Sequence, residues 1–273
     1  MELGKKQVLT VVKQVDFGVY LGSEKEKVLL PKKQVPEGIE PGDPVEVFLY
    51  KDSSDRLIAT TNEPKLMLGE LAVLSVLQVG KFGAFLDWGL EKDLFLPFRE
   101  QTFKVKPGDE CLVTLYVDKS ERLCATMKVY EHLRKDSSYQ KDDRVEGIIY
   151  ESSDNFGMFV AVDDQFSALI PKREVTPDLR PGMRITARVT EVKPDGKLNL
   201  SVREKAFIQM DKDALMVLKK IEECGGTLPF NDKADAERIK KEFGISKNAF
   251  KRAVGHLYKE RKIEILADKI VIR

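Results

Sequence analysis

Four short landmarks recur three times along this 273-residue chain, in the same order and at nearly the same spacing. The first is a Phe-Gly pair, at Phe17-Gly18, Phe82-Gly83 and Phe156-Gly157. Thirteen or fourteen residues later an aliphatic residue precedes proline: Leu30-Pro31, Leu96-Pro97 and Ile170-Pro171. Ten residues beyond each of these prolines stands a Pro-Gly, at Pro41-Gly42, Pro107-Gly108 and Pro181-Gly182. A basic residue followed by leucine then opens a closing run, at Arg56-Leu57, Arg122-Leu123 and Lys197-Leu198. Such self-similarity means one structural unit used repeatedly. The units span residues 1–66, 67–133 and 145–207, with residues 134–144 as a linker.

Inside each unit the periodicity is that of β-strands. After the Pro-Gly, apolar residues alternate along the chain: Val45/Val47/Leu49, Cys111/Val113/Leu115/Val117 and Ile185/Ala187/Val189. Thr186, Arg188 and Thr190 lie between the last set, so one face packs on a core and the other meets solvent. The closing run alternates likewise, with Leu198, Leu200 and Val202 inward and Asn199, Ser201 and Arg203 outward. Turn residues at Asp52–Asp55, Asp118–Glu121 and Pro194–Gly196 separate the runs. About five short strands in some sixty residues fit a small barrel, because closure removes exposed sheet edges.

The last quarter of the chain changes period. Leu215, Leu218 and Ile221 fall on a helical stripe closed by Gly225-Gly226. A second helix is expected over residues 233–243, a tight turn at Gly244-Ile245, and a third helix capped by Ser246 and reaching about Glu260. In that third helix Phe250, Ala253, Val254 and Leu257 share one face, while Asn248, Arg252, His256 and Lys259 point away, with Lys251 flanking them. Ile263–Leu266 and Ile270–Ile272 read as a hairpin around Ala267–Lys269, which completes a winged helix-turn-helix over residues 208–273. This segment carries 15 Lys and Arg against 11 Asp and Glu, while the whole chain has a net charge of only +1. The positive excess therefore sits where a helical domain could meet phosphates.

The third unit gives the clearest resemblance. It reads Gly147-Ile-Ile, Asn155-Phe-Gly-Met-Phe-Val160, Ala168-Leu-Ile-Pro171, Pro181-Gly-Met-Arg-Ile185 and Lys197-Leu-Asn-Leu-Ser-Val-Arg203. This resembles the S1 domain, an oligonucleotide-binding-fold module. Units one and two, closing with Leu57–Asn62 and Leu123–Lys128, are weaker matches. S1 modules usually carry a histidine where the three units have Pro31, Pro97 and Pro171, so each unit lacks one stacking group. Three S1-like units followed by a winged helix resemble the conserved virulence factor B family of bacteria. The fold class expected is thus multidomain: three all-β, five-stranded OB-fold (S1-like) barrels and an α+β winged helix-turn-helix domain.

The resemblance implies RNA binding, and the residues offer the means. Single-stranded nucleic acid is held by aromatic faces and by nearby cations. Each unit sets two aromatics three apart around the glycine: Phe17 and Tyr20, Phe82 and Phe85, Phe156 and Phe159. A glycine that bends or bulges the strand would bring both rings onto one surface, although either ring could instead belong to the core. Lys32 and Lys33, Arg99, and Lys172 and Arg173 follow the aliphatic-Pro pairs. Lys128 and Arg203 occupy equivalent outward positions on the last strand of their units, where the first unit has Asn62 and is expected to bind least. In the third helix Asn248, Lys251, Arg252 and Lys259 are candidates for phosphate contact.

No catalytic, metal or cofactor role is expected. The two histidines, His132 and His256, lie in no catalytic pattern, and Cys111, Cys124 and Cys224 lack metal-ligand or disulfide spacing. By alignment of the units Cys111 is core and Cys124, matching Ile58 and Asn199, more peripheral. The longest nearly apolar run, Leu71–Val79, is too short to cross a bilayer, and the N-terminus lacks the apolar run of a signal peptide. The expectation is a non-enzymatic cytoplasmic protein, not a membrane protein, that contacts single-stranded RNA and influences gene expression after transcription. Ribosomes or transcription and RNA-processing machinery are candidate partners. The rival reading is a DNA-binding regulator that uses the winged helix on a duplex, with the barrels as protein-interaction modules.

Overall fold

The computed structural model describes residues 1–203 and 206–273, and no side chains between residues 206 and 211. Backbone contacts divide the chain into two units, Met1–Val202 and Arg203–Arg273.

The first unit holds three five-stranded barrels. Strands β1 (Lys6–Val15), β2 (Gly18–Gly22), β3 (Lys27–Pro31), β4 (Pro44–Lys51) and β5 (Leu57–Thr60) close in the order β1-β2-β3-β5-β4. Strands β11 (Arg144–Ser153), β12 (Gly157–Val162), β13 (Phe166–Pro171), β14 (Arg184–Val192) and β15 (Leu198–Ser201) close the third barrel identically. Between them β6 (Leu71–Val79), β7 (Gly83–Asp87), β8 (Leu94–Pro97), β9 (Glu110–Val117) and β10 (Leu123–Thr126) form a sheet ordered β10-β9-β6-β7-β8. Its end strands β8 and β10 lie side by side, so this barrel is nearly closed. Closure in the outer two barrels comes from parallel pairing, Leu29 with Ile58 and Ala168 with Leu198.

The recurrent landmarks are the hydrogen-bonding joints of the barrel. Each Phe-Gly glycine pairs with the proline of the next landmark: Gly18 with Pro31, Gly83 with Pro97, Gly157 with Pro171. A Cβ on these glycines would stand 2.1, 2.3 and 2.1 Å from the carbonyl oxygens of Leu30, Leu96 and Ile170, so no larger residue fits. The Pro-Gly landmark anchors a bulge. Gly42, Gly108 and Gly182 donate N–H to the carbonyls of Val11, Val76 and Ile149. Immediately after those residues the first strand of each barrel carries one extra residue, namely Val12, Leu77 and Tyr150.

The barrels are packed against one another. In β4, Val45, Val47 and Leu49 fill the first barrel as the alternation predicts, yet Phe48 and Tyr50 on the other face are also buried. They join Trp88 at a seam with the second barrel, Phe48 lying 5.8 Å and Tyr50 6.1 Å from its ring. A second seam gathers Leu112 and Val129 with Ile148, Tyr150 and Ala161. Residues 134–144 run along the third barrel: Arg134 N–H donates to the Gln165 carbonyl, its carbonyl accepts from Ser167, and the Tyr139 hydroxyl donates to Asp163 at 2.7 Å.

Several expectations need correction here. Val117 was placed inward but is 42% exposed, because β9 ends there. Ser201 was placed outward but is buried, its hydroxyl donating to Glu174 at 2.8 Å. Cys124 is not peripheral: it is buried like Cys111, and burial pushes the two thiols up to about 11 and about 12.

The second unit is α1 (Ala206–Glu223), β16 (Thr227–Leu228), α2 (Ala236–Phe243), α3 (Lys247–Lys259), β17 (Ile263–Ile265) and β18 (Ile270–Ile272), with sheet order β16-β18-β17. Ser246 caps α3 by accepting from Ala249 N–H at 3.2 Å, and Asp235 caps α2, which begins later than residue 233. Phe250, Ala253, Val254 and Leu257 are buried together as expected. The α1 stripe differs: Ala214, Val217 and Ile221 face the core, whereas Leu215 is 62% exposed. Strand β16 was not foreseen; two residues carry no periodicity.

Candidate nucleic-acid interface

The first ring of each Phe-Gly pair lies at the turn before its strand and projects outward. Phe17, Phe82 and Phe156 are 58, 71 and 62% exposed, although aromatic rings of this size are normally buried. Their backbones are fixed from the opposite side. The carbonyls of Phe17, Phe82 and Phe156 accept from the N–H groups of Lys32, Phe98 and Lys172 at 2.9, 3.1 and 2.9 Å. One joint thus ties an exposed ring to the turn that carries the exposed Lys32 and Lys33, Arg99, or Lys172 and Arg173.

The second rings, Tyr20, Phe85 and Phe159, are half-buried and alternate with residues of the barrel interior such as Val19, Ala84 and Val160. None lies in a barrel core. Phe17 and Tyr20 meet edge to face at 6.4 Å, and Phe156 and Phe159 lie 6.4 Å apart. The bulge expected within the Phe-Gly strand is not there. Strands β2, β7 and β12 run without interruption, and the extra residue sits on the neighbouring strand instead. Phe85 finds its partner across the ladder in Phe95, at 5.4 Å.

The rings open onto clefts. In the second barrel a cleft of about 340 Å³ is walled by Phe82, Phe85, Phe95 and Trp88, with Tyr50 and Lys51 of the first barrel closing one side. Lys81, Lys92 and Arg122 stand at this cleft, and Lys81 lies 5.4 Å from the Phe82 ring centre. In the third barrel Phe156, Phe159 and Tyr130 line a smaller cleft of about 200 Å³ with Lys193 and Lys197. Lys197 sits 5.5 Å from the Tyr130 ring centre, and the Asp195 carboxylate, aided by Tyr130, holds its ammonium above the usual lysine pKa. Tyr50, Trp88, Phe95, Tyr130 and these cations escaped sequence reasoning, since they come from neighbouring strands and barrels. The one available signal was the apolar outer face of Phe48 and Tyr50.

The other cations are placed less uniformly. Lys128 and Arg203 are not on their last strands as expected but lie two residues beyond the end of them, because the strands end at Thr126 and Ser201, and both are exposed. Lys128 is paired with Glu100 at 3.3 Å. Glu100 also accepts from the Thr126 hydroxyl at 2.9 Å, as Glu174 does from Ser201, so the acid after each basic residue pins the turn to the last strand. Lys172 and Arg173 are exposed in a 3-10 turn, with Arg173 on a different cleft, shared with Tyr139 and Asn199. In the second unit Asn248, Lys251, Arg252 and Lys259 are all exposed on α3, and among the described residues Lys251, Arg252 and Lys259 form no ion pair. Among the described residues no group of His, Cys, Asp and Glu is placed to hold a metal, and no helix is long and apolar enough to cross a membrane.

Comparison with known proteins agrees with this architecture. The S1 domain model matches residues 3–62 and 68–128, the model of the second domain of virulence regulatory factor CvfB matches 130–204, and the CvfB-like winged helix model matches 215–271. The chain is 34% identical over 273 residues to the uncharacterized protein YitL of Bacillus subtilis (strain 168), covering 96% of this chain and 91% of that protein. It is 30% identical over 243 residues to conserved virulence factor B of Staphylococcus aureus (strain N315), covering 86% and 81%. A crystal structure from Streptococcus pneumoniae TIGR4, described as a multidomain protein with nucleic acid binding domains, superposes with a TM-score of 0.56 at 27% identity, over 99% of this chain and 98% of that one. S1 modules and a winged helix are the parts of a nucleic-acid-binding protein, and with this likeness along nearly its whole length the chain belongs to the conserved virulence factor B family.

Proposed function

We propose that the chain binds single-stranded RNA without transforming it, using the exposed rings of its three barrels, with α3 of the winged helix as a second contact. The observation that carries this reading is the outward placement of Phe17, Phe82 and Phe156 at one equivalent joint, each bonded through its backbone to a turn that carries Lys or Arg. A ring held by its own backbone presents a π-face at little entropic cost, and stacking one base on it contributes about 1–3 kcal/mol. Packed barrels add to this, because binding at one raises the effective concentration of the strand at the next. The cations Lys128, Lys172, Arg173 and Arg203, with Asn248, Lys251, Arg252 and Lys259, supply phosphate contacts and the salt dependence of binding. The first barrel, with Asn62 where the others have Lys128 and Arg203, contributes least. The description of the matching family model, virulence regulatory factor CvfB, supports a regulatory role, which on an RNA target would be post-transcriptional control of gene expression.

The test is equilibrium binding of a fluorescent oligouridylate in competition with unlabelled single-stranded RNA and duplex DNA at equal phosphate concentration. Single-stranded RNA should compete and duplex DNA should not. Displacement by the duplex at equal or lower concentration overturns the reading in favour of a DNA-binding regulator.

A further inference from the structure

The three barrels differ at one position that borders the face or the cleft of the second ring. The residue four before the proline of the third strand, just ahead of three apolar residues, is Lys27, Asp93 or Ser167. Lys27 sits 5.3 Å from the Tyr20 ring centre in the first barrel. Ser167 lines the cleft of Phe156 and Phe159 in the third. Asp93 lines the larger cleft of Phe82 and Phe85, and its side chain has no hydrogen-bond or ion-pair partner among the described residues.

A carboxylate at a site for phosphate-bearing strands repels its own ligand unless it is satisfied by that ligand. Its two oxygens only accept hydrogen bonds, so it calls for two adjacent donors. On the Watson–Crick edge guanine alone offers this, through N1–H and the N2 amine. Adenine and cytosine set one amine beside an acceptor, and uracil sets one N–H between two acceptors. The remaining chemistry of the cleft suits an unstacked base. Its walls are aromatic, the Trp88 indole N–H is already spent on the Lys92 carbonyl at 2.5 Å, and the volume of about 340 Å³ is that of a small-molecule site. Of the cations at the rim, Lys92 and Arg122 are paired with Asp55, which leaves Lys81 to suit a flanking phosphate.

Resting on the RNA-binding reading above, we propose that the cleft between the first and second barrels selects guanine in a single strand, with Asp93 as the specificity-determining residue. Lys27 and Ser167 at the matching positions give the other two barrels different preferences, so the tandem reads a patterned sequence and not three equal sites.

The experiment uses the full chain carrying Phe17→Ala and Phe156→Ala, so that the second barrel dominates. Binding is measured for uridine pentamers whose central base is uracil, adenine, cytosine, guanine or hypoxanthine, with circular dichroism to confirm folding. The guanine pentamer should bind at least about fivefold tighter than the uracil one, the discrimination typical of a two-bond contact to a base edge. Hypoxanthine, which keeps N1–H and lacks the amine, should fall between. Asp93→Asn and Asp93→Ser should each remove the guanine advantage while leaving the uracil pentamer bound as well or better. Equal affinity for all pentamers, or a guanine preference that survives both substitutions, overturns the proposal while leaving the RNA-binding reading intact. Failure of every pentamer to bind, together with no binding of long oligouridylate by the unsubstituted chain, overturns both. Competition by guanosine 5′-monophosphate at the concentration of the guanine pentamer would assign the cleft to a free nucleotide and overturn its assignment to a strand.

Discussion

The carbonyl of Phe156 accepts a hydrogen bond from the backbone N–H of Lys172 at 2.9 Å, and the same bond joins Phe17 to Lys32. This one contact ties the residue that bears the exposed ring to the cation-bearing turn. It also separates the two aromatics of each Phe-Gly strand by role. Phe156→Ala should weaken oligouridylate binding by about 1–3 kcal/mol and leave thermal stability nearly unchanged, because its ring is already in water. Phe159 instead packs 6.1 Å from Tyr150 and 5.8 Å from Tyr130 at the seam. Phe159→Ala should therefore lower the melting temperature as well as the affinity. A Phe156→Ala protein that is folded and binds normally would remove the ring from the site.

Gly157 is required by its neighbour and not by a turn alone. A Cβ there would meet the Ile170 carbonyl at 2.1 Å, on a backbone with φ of +121°. Gly157→Ala should cost about 2–4 kcal/mol from overpacking and strain, seen as a lower urea midpoint. The contrast is Gly255 in α3, whose Cβ would meet nothing within 4 Å. Gly255→Ala should stabilise the winged helix by roughly 0.5–1 kcal/mol.

Tyr150 is the extra residue of the third barrel's bulge and is buried at the seam with the second. Truncation to Ala should cost about 3–5 kcal/mol in denaturant unfolding, by loss of buried surface and the cavity it leaves. Its hydroxyl is buried and has no partner among the described residues, so Tyr150→Phe should be neutral or stabilising by about 1 kcal/mol. A strongly destabilised Phe variant would mean that the hydroxyl is satisfied.

Burial holds the Cys124 and Cys111 thiols at about 11 and about 12, above the ~8.5 of a free thiol, whereas Cys224 is exposed. A thiol reagent at pH 8 should modify one cysteine rapidly and all three after unfolding. Because the folded-state pKa values are raised, the unfolded chain loses these protons first on going alkaline. The stabilisation is therefore full below about pH 8.5 and declines as pH rises toward about 11 for Cys124 and about 12 for Cys111. Rapid reaction of more than one thiol in the folded protein would contradict the burial.

Arg252 and Lys259 on α3 should act through charge. Replacing either with Ala should weaken RNA binding at low salt and reduce the slope of log affinity against log salt by about 0.7 per lost phosphate contact. An unchanged slope would mean that α3 does not meet the strand. Ser246→Ala, which removes the α3 cap, should lower winged-helix stability by about 1 kcal/mol without altering that slope.

Much of the fold was legible because it depends on short-range geometry. The spacing of Phe-Gly, aliphatic-Pro and Pro-Gly fixed three repeated barrels, since each landmark is one end of a backbone hydrogen bond whose span is set by strand length. Helical period and the Ser246 cap likewise fixed α3 and its buried face. What the sequence could not show was which outward face becomes an inward one. Phe48, Tyr50 and Leu112 read as the solvent side of their strands and are buried because one barrel packs on the next. Leu215 reads as core and is exposed, because an offset of one residue on a helix turns a side chain by about 100°. The same packing decided the site. Both rings of each pair could be named from the chain alone, but not which of them is exposed, and the cleft that sets Asp93 with Phe85, Trp88 and Tyr50 joins residues from two barrels that only tertiary contact brings together.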